Sequence, residues 1–348
     1  MIRVHFAIPG DIGTPTGGYA YDRQVMASLA AFGVDVVHLP LPGGFPAPTD
    51  AELNETARLL ALVPADSVLL IDGLALGALP EAYFTAVRAP IVAMLHHPLG
   101  LETGLDSETS RLLLETERAA LKYARHIIVT SQTTADTLRD LGFAPPPPVT
   151  VAEPGTEAAP RATGGTGGLQ ILSVGAIVPR KGHDLLIEAL AGLTHLDWRC
   201  AIVGSRDRDS AFAIGLTRRV AEAGLSERIR FYGPLGAADI ARHYASADIF
   251  ALPSRYEGYG MVFAEALARG LPIVAAKAGA VPGTVPADAG ILVAPDDVPA
   301  LRDALARLIT DAQLRQKLSD AAWDHAQRLP RWQDTAKIVA DVLKGAGS

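Results

Sequence analysis

At 348 residues, 49% of them hydrophobic, the chain is long enough and apolar enough for about two domains with cores of their own. Its formal net charge of −7 is unevenly split: residues 1–157 hold 9 Lys and Arg against 18 Asp and Glu, leaving 22 against 20 for residues 158–348. The acidic first part is a poor match to nucleic acid or anionic lipid, and the near-neutral second part is the better host for a diphosphate.

IRVHFAIP (Ile2 to Pro9) reads as an apolar strand, too short and too strand-like for a signal peptide, and no apolar run approaches the ~20 residues of a membrane span. A cytoplasmic location is expected. A Gly17–Gly18 turn leads into a helix from about Tyr19 to Ala31, and VDVVHLPL is the next strand. SVLLIDGL, APIVAMLHHP and RHIIVTS continue the strands, with LDSETSRLLLETERAALKYA a long amphipathic helix between the last two. His96 and His97 end the strand IVAML; neighbours on a strand point to opposite faces, so the pair is a poor metal site and one of them packs or caps. Residues 144–168, APPPPVTVAEPGTEAAPRATGGTGG, break the pattern with stiff proline and then flexible glycine, a hinge between two units. Alternating strands and helices on either side predict two doubly wound parallel sheets with a cleft between them.

The second alternation starts at Leu169. After ILSVGAIV comes a Pro-Arg-Lys-Gly turn, where Arg180 offers a fork and Lys181 a point charge; such a pair is either solvated or aimed at phosphate. Cys200, the only cysteine, lies in the apolar WRCAIVG, which excludes an internal disulfide or thiolate cluster and reads as a small buried hydrophobe. Asp207-Arg208-Asp209 has the outline of an Asp-x-Asp metal motif, but its place after Val203-Gly204-Ser205 argues against a metal. SADIFALPS is a strand, followed by a glycine-broken loop and a helix, Met261 to Arg269. Glu257 projects from the loop and Glu265 lies one turn inside the helix, with seven residues between them. Gly258 and Gly260 let the backbone turn tightly near a ligand, Tyr259 lies between them, and the first helical N–H groups at Gly260 and Met261 favour an anion. Two glutamates flanking such a loop could equally be a solvated helix start; their place at the carboxyl end of a strand favours a ligand. The closing LPRWQDTAKIVADVLKG is an amphipathic helix with Trp332, Ile338, Val342 and Leu343 available for packing.

These segments, in this order, resemble glycosyltransferase family four, the retaining GT-B glycosyltransferases. The glutamate pair is similar to the family's glutamate motif, Leu169 to Leu193 to its donor-domain opening, and PGDIGTPTGGYAYDRQVMASLAAFG to its glycine-rich loop and first helix. The resemblance implies an α/β GT-B fold: Rossmann-like domains at 1–160 and 168–328, and a helix at 329–348 returning to the first. It implies transfer of a sugar from a UDP-, GDP- or ADP-sugar to a hydroxyl of a saccharide, lipid-linked sugar or small molecule, with neither metal nor cofactor. On that reading Lys181 and Arg180 meet the diphosphate, with Arg180 standing in for a family arginine whose place is Ala176. Glu257 holds the donor sugar and Glu265 the ribose. Gly17 and Gly18 face the diphosphate and acceptor, Leu235 in FYGPL lies at the base shelf, and His96 or His97 sits near the reacting carbon. Tyr19 and Tyr21 line the acceptor side or pack, and Glu102 is a further acceptor contact. The family's glutamate in a Gly-x-Pro-Glu turn is Gly283 here. An epimerase or sugar phosphorylase of the same fold, and a silent sugar-nucleotide-binding protein, are the alternatives. A nicotinamide dehydrogenase is disfavoured because neither half has a Gly-x-Gly-x-x-Gly turn after its first strand.

Overall fold

The computed structural model describes residues 1–142, 147–165 and 168–347. Contacts divide the chain into two units, Met1–Gly155 with Pro330–Ser348, and Thr156–Leu329.

In the first unit six strands form one parallel sheet: β1 (Ile2–Pro9), β2 (Val34–Leu41), β3 (Val68–Asp72), β4 (Ile91–Leu95), β5 (Ala124–Val129) and β6 (Val149–Val151). Their order is β2-β1-β3-β4-β5-β6. Helices cover both faces, and every residue of β3 and β4 is buried, which is why those strands read as unbroken apolar runs. The helix Trp332–Ala346 belongs to this unit. Thr335 Oγ1 donates to the Glu153 carbonyl at 2.7 Å, and Trp332 meets the Tyr21 ring edge at 5.8 Å. Gly155 is needed there, because a Cβ would come within 2.3 Å of the Trp332 backbone nitrogen. Trp332 and Leu343 are buried, whereas Ile338 faces outward.

The second unit repeats the plan with β7 (Leu169–Val174), β8 (Trp198–Val203), β9 (Ile229–Tyr232), β10 (Ile249–Leu252), β11 (Ile273–Ala276) and β12 (Gly290–Val293), ordered β12-β11-β10-β7-β8-β9 and all parallel. Its core includes Cys200, whose thiol burial pushes up to about 12. In each sheet the order reverses beside the first strand, between β1 and β3 and between β10 and β7. The carboxyl ends of those strands are where an open α/β sheet holds ligands.

Three sequence expectations need correction. The first helix begins at Gly17, because Thr16 caps it by accepting from the Tyr19 amide, and it ends at Leu29 before a short 3₁₀ turn, Ala30–Phe32. The proline-rich break holds a strand, β6, which completes the edge of the first sheet; residues 143–146, and residues 166–167 of the glycine hinge, lie outside the described residues. The helix after the glycine loop is shorter than expected, Met261–Leu267. Among the described residues no helix is long and apolar enough to cross a membrane.

Candidate functional site

In the second unit the loops leaving β7 and β10 meet at the switch point. Pro179–Lys181 form a 3₁₀ turn closed by Gly182, whose left-handed φ of +67° and approach to the Pro253 carbonyl leave no room for a side chain. The turn delivers Lys181 Nζ to within 2.7 Å of Glu257 Oε1, and Arg180 Nη1 lies 3.5 Å from Glu257 Oε2. Ser254 Oγ donates to the same Oε1 at 2.6 Å. Glu257 therefore does not project from its loop as expected. It is buried, and although burial pushes its carboxyl up, Lys181 and then Arg180 outweigh that and hold it below the ordinary carboxylate range. Ala176 lies just after β7, and Arg180 reaches the Glu257 carboxylate from the following turn.

Residues with no sequence signal complete the cluster. Arg255 grips Asp184 with both terminal nitrogens, at 3.0 and 2.8 Å, and Asp296 with Nε at 2.8 Å, while its amide donates to the Arg180 carbonyl at 2.7 Å. This ties the two loops together. Gly279, at φ +55°, lets the Ala280 amide reach the Glu257 carbonyl at 2.9 Å; a Cβ there would strike that carbonyl. Beyond Glu257, Gly258 is partly exposed, Tyr259 is buried with its carbonyl accepting from Thr284 Oγ1 at 2.7 Å, and Gly260 turns at φ +87° to start the helix at Met261 without a side-chain cap.

Glu265 is half-buried and accepts from the Tyr244 hydroxyl at 2.8 Å, while its own carbonyl accepts from Arg269, whose guanidinium lies 4.4 Å over the Tyr244 ring. Burial pushes the Glu265 carboxyl up. Nothing in the sequence pointed to Tyr244. Leu235 packs against the core beside Tyr232, and Gly233 and Pro234 of the same segment are exposed. Asp209 caps the helix Ser210–Glu222 by accepting from the Phe212 amide, a structural use for part of the Asp-x-Asp motif. Gly283 lies in the short helix Val281–Thr284, with open space where a Cβ would stand.

The first unit has its own cluster at its own switch point. His96, directly after β4, puts Nε2 3.3 Å from Asp22 and 3.5 Å from Asp72, which ends β3. Gly18 packs against that imidazole, since an added Cβ would come within 3.1 Å of Cδ2; Gly17 beside it is open. Burial alone would push His96 down, but Asp22 and Asp72 raise it to about 10. His97 turns elsewhere and pairs with Glu102 at 3.2 Å. Tyr21 is buried and donates to the Ala152 carbonyl, and half-buried Tyr19 donates to the Pro9 carbonyl at 2.6 Å. Asp22 and Asp72 were missed because each is a single acid outside any motif, identified only by where the fold takes it.

Two doubly wound parallel-sheet units in one chain, each with its polar cluster at the switch point, define the GT-B class. Residues 4–155 match the glycosyl transferase 4-like domain and residues 160–325 the glycosyl transferases group 1, so the chain belongs to the GT-B glycosyltransferases of family four. A D-inositol 3-phosphate glycosyltransferase of Saccharomonospora viridis is 31% identical over 260 residues, 69% of this chain and 60% of that one. A GDP-mannose-dependent alpha-(1-6)-phosphatidylinositol monomannoside mannosyltransferase of Mycolicibacterium smegmatis is 32% identical over 185 residues, 50% of this chain and 47% of that one. The chain thus spans about half the length of the curated relatives it matches. Among solved structures, sucrose-phosphate synthase of Thermosynechococcus elongatus superposes with a TM-score of 0.83 at 22% identity, covering 99% of both chains. Anabaena HepE in complex with UDP-glucose gives 0.81 at 20% identity, covering 99% of this chain and 100% of that one. These two likenesses show the fold.

Proposed function

We propose that this protein transfers a sugar from a nucleoside-diphosphate sugar to an acceptor hydroxyl, with retention at the anomeric carbon and without a metal. The observation that carries this reading is the meeting of Lys181, Arg180 and buried Glu257 at the reversal point of the second sheet, beside a glycine-opened loop. Departure of a diphosphate needs fixed positive charge near its oxygens, and cations held by neighbouring ion pairs supply it without reorganisation. In this reading Lys181, Arg180 and the amides at Gly260 and Met261 hold the diphosphate, Glu257 the donor sugar and Glu265 the ribose. The bond between the anomeric carbon and the phosphate oxygen breaks, the acceptor oxygen attacks on the same face, and its proton passes to the departing phosphate. Relatives named for inositol 3-phosphate and phosphatidylinositol monomannoside support a polyol or sugar hydroxyl as acceptor; HepE, solved with UDP-glucose, supports a nucleotide-sugar donor.

Thermal unfolding with UDP-, GDP- and ADP-sugars tests the donor. One base is expected to raise the melting temperature, with stabilisation of about 2.7 kcal/mol at a hundredfold excess over Kd. Transfer should persist in a chelator, and NMR of the product should show the donor's anomeric configuration. No shift with any donor and no transfer to any hydroxyl would remove the proposal; an inverted product would remove retention.

A further inference from the structure

We propose that Asp22 and Asp72 are positioning residues for His96: they occupy its Nε2 from within the first unit, so that the imidazole meets a ligand only through Nδ1, as a fixed N–H donor and positive charge. The ligand's identity rests on the glycosyltransferase reading; the pairing rests on geometry alone.

Nε2 lies 3.3 Å from Asp22 and 3.5 Å from Asp72. Both carboxylates are buried, and one oxygen of each lies within 4.8 Å of the other and of the imidazole nitrogen. Asp72 divides its oxygens: Oδ1 accepts from the Leu74 amide at 2.8 Å, which leaves Oδ2 facing His96. Asp22, on the helix Gly17–Leu29, makes no hydrogen bond of normal geometry among the described residues, and its Oδ1 faces Nε2 of His96 at 3.3 Å as an ion pair. A charged carboxylate only accepts hydrogen bonds, so Nε2 between two of them carries a proton and is spent on the protein. The ring is held in place by the close Gly18 backbone on one side and the Tyr21 ring edge at 5.4 Å on another. Its carbonyl accepts from Thr130 at 3.2 Å and Thr134 at 3.4 Å.

One acid beside a histidine would leave Nδ1 free to act as a base; two acids favour the doubly protonated ring instead. Asp22 and Asp72 are the charged groups that face His96, from the first helix and from the end of β3. The raised value of His96 accords with this, although burial works in the opposite sense at Asp22 and pushes that carboxyl up to about 7. A sugar hydroxyl or phosphate oxygen on Nδ1 would then meet a donor.

NMR titration of the histidine rings in the intact chain tests this, with the His96 signal assigned by its loss in His96→Gln. In the unaltered protein His96 is expected to stay protonated between about pH 6 and pH 8. Asp22→Asn and Asp72→Asn should each lower its midpoint by roughly one to three pH units. Transfer by either variant should gain a pH limb at the lowered midpoint, expressed in kcat more than in KM. An ordinary midpoint in the unaltered protein, or a midpoint unmoved in the Asn variants, would overturn the proposal. Should Asp22→Asn fail to fold, Asp72→Asn reads the same quantity. The titration needs no nucleotide sugar, so absence of donor binding would sink the assigned activity and leave this inference standing, while an ordinary midpoint with transfer intact would do the reverse.

Discussion

Lys181 Nζ lies 2.7 Å from Oε1 of Glu257, a residue only 4% exposed, and this ion pair joins the loops after β7 and β10. Removing the lysine leaves a buried carboxylate with Arg180 at 3.5 Å as its remaining cation. Breaking a buried pair from one side costs about 3–5 kcal/mol, so Lys181→Met should lower the urea midpoint at neutral pH by a corresponding amount. The pH dependence has a definite sign. Glu257 is held below the ordinary value of 4.5, so its stabilisation is present above that value and is lost as pH falls through the lowered one. The unaltered protein should therefore weaken in acid more steeply than the variant, and parallel urea midpoints for the two across that range would show that the lysine does not set the carboxylate's state.

Arg255 acts on the same junction through contacts that a lysine cannot reproduce. Its fork on Asp184, its third bond to Asp296 and the adjacent backbone bond to Arg180 need a planar guanidinium held in one place. Arg255→Lys keeps the charge and loses the fork. The expected outcome is a folded protein whose donor KM rises about tenfold, equivalent to ~1.4 kcal/mol, with a smaller donor-induced thermal shift. A KM equal to that of the unaltered protein would show that the two loops hold their geometry without it.

Most strands were legible in the sequence because they are apolar runs bounded by turn residues; β1 and β2 begin and end where their hydrophobic segments do. β6 was hidden because Pro147 and Pro148 precede a strand of only three residues, and its pairing with β5 is a long-range event. The site was legible in part for a similar reason. Glu257, Lys181 and His96 stand at strand ends, where chemistry is expected, but Glu257 was expected to be open and is buried by the Arg180–Lys181 turn, Ser254 of its own loop and the Gly279 turn. Asp22, Asp72, Tyr244, Arg255 and Gly279 matter through partners far away in sequence, and local pattern carries no record of them.

Tyr244 is the partner of Glu265. Its hydroxyl donates at 2.8 Å to a carboxylate whose acidity burial has already weakened. Tyr244→Phe removes one hydrogen bond to a charged group, worth about 1.5–3 kcal/mol where nothing replaces it, and should raise the Glu265 carboxyl further. If Glu265 binds the ribose, donor affinity falls in the phenylalanine variant and in Glu265→Ala, and the double variant loses little beyond the larger single loss. Calorimetric titration with the donor measures all three, and additive losses would show that the tyrosine and the glutamate act separately.

Among the described residues, Glu117 presents a carboxylate with no charge to meet. It is fully buried on the helix Ser107–Leu121, with Oε1 so close to Gly77 that a Cβ there would lie 2.8 Å away, and among the described residues no hydrogen bond of normal geometry reaches either oxygen. Burial pushes it up to about 8, against a partial compensation from the Leu99 amide. Because the folded value is raised above 4.5, stability is fully present below that value and is lost as pH rises through about 8. Glu117→Gln removes the titration but keeps the shape. Its fixed cost of burying an amide is independent of pH, so the comparison lies in the slope. Between about pH 5 and pH 9 the stability difference should move in favour of the glutamine variant by on the order of 4 kcal/mol, a shift that urea unfolding resolves. A difference that stays constant across that range would mean that the buried carboxyl is no harder to ionise in the folded protein than in the unfolded chain.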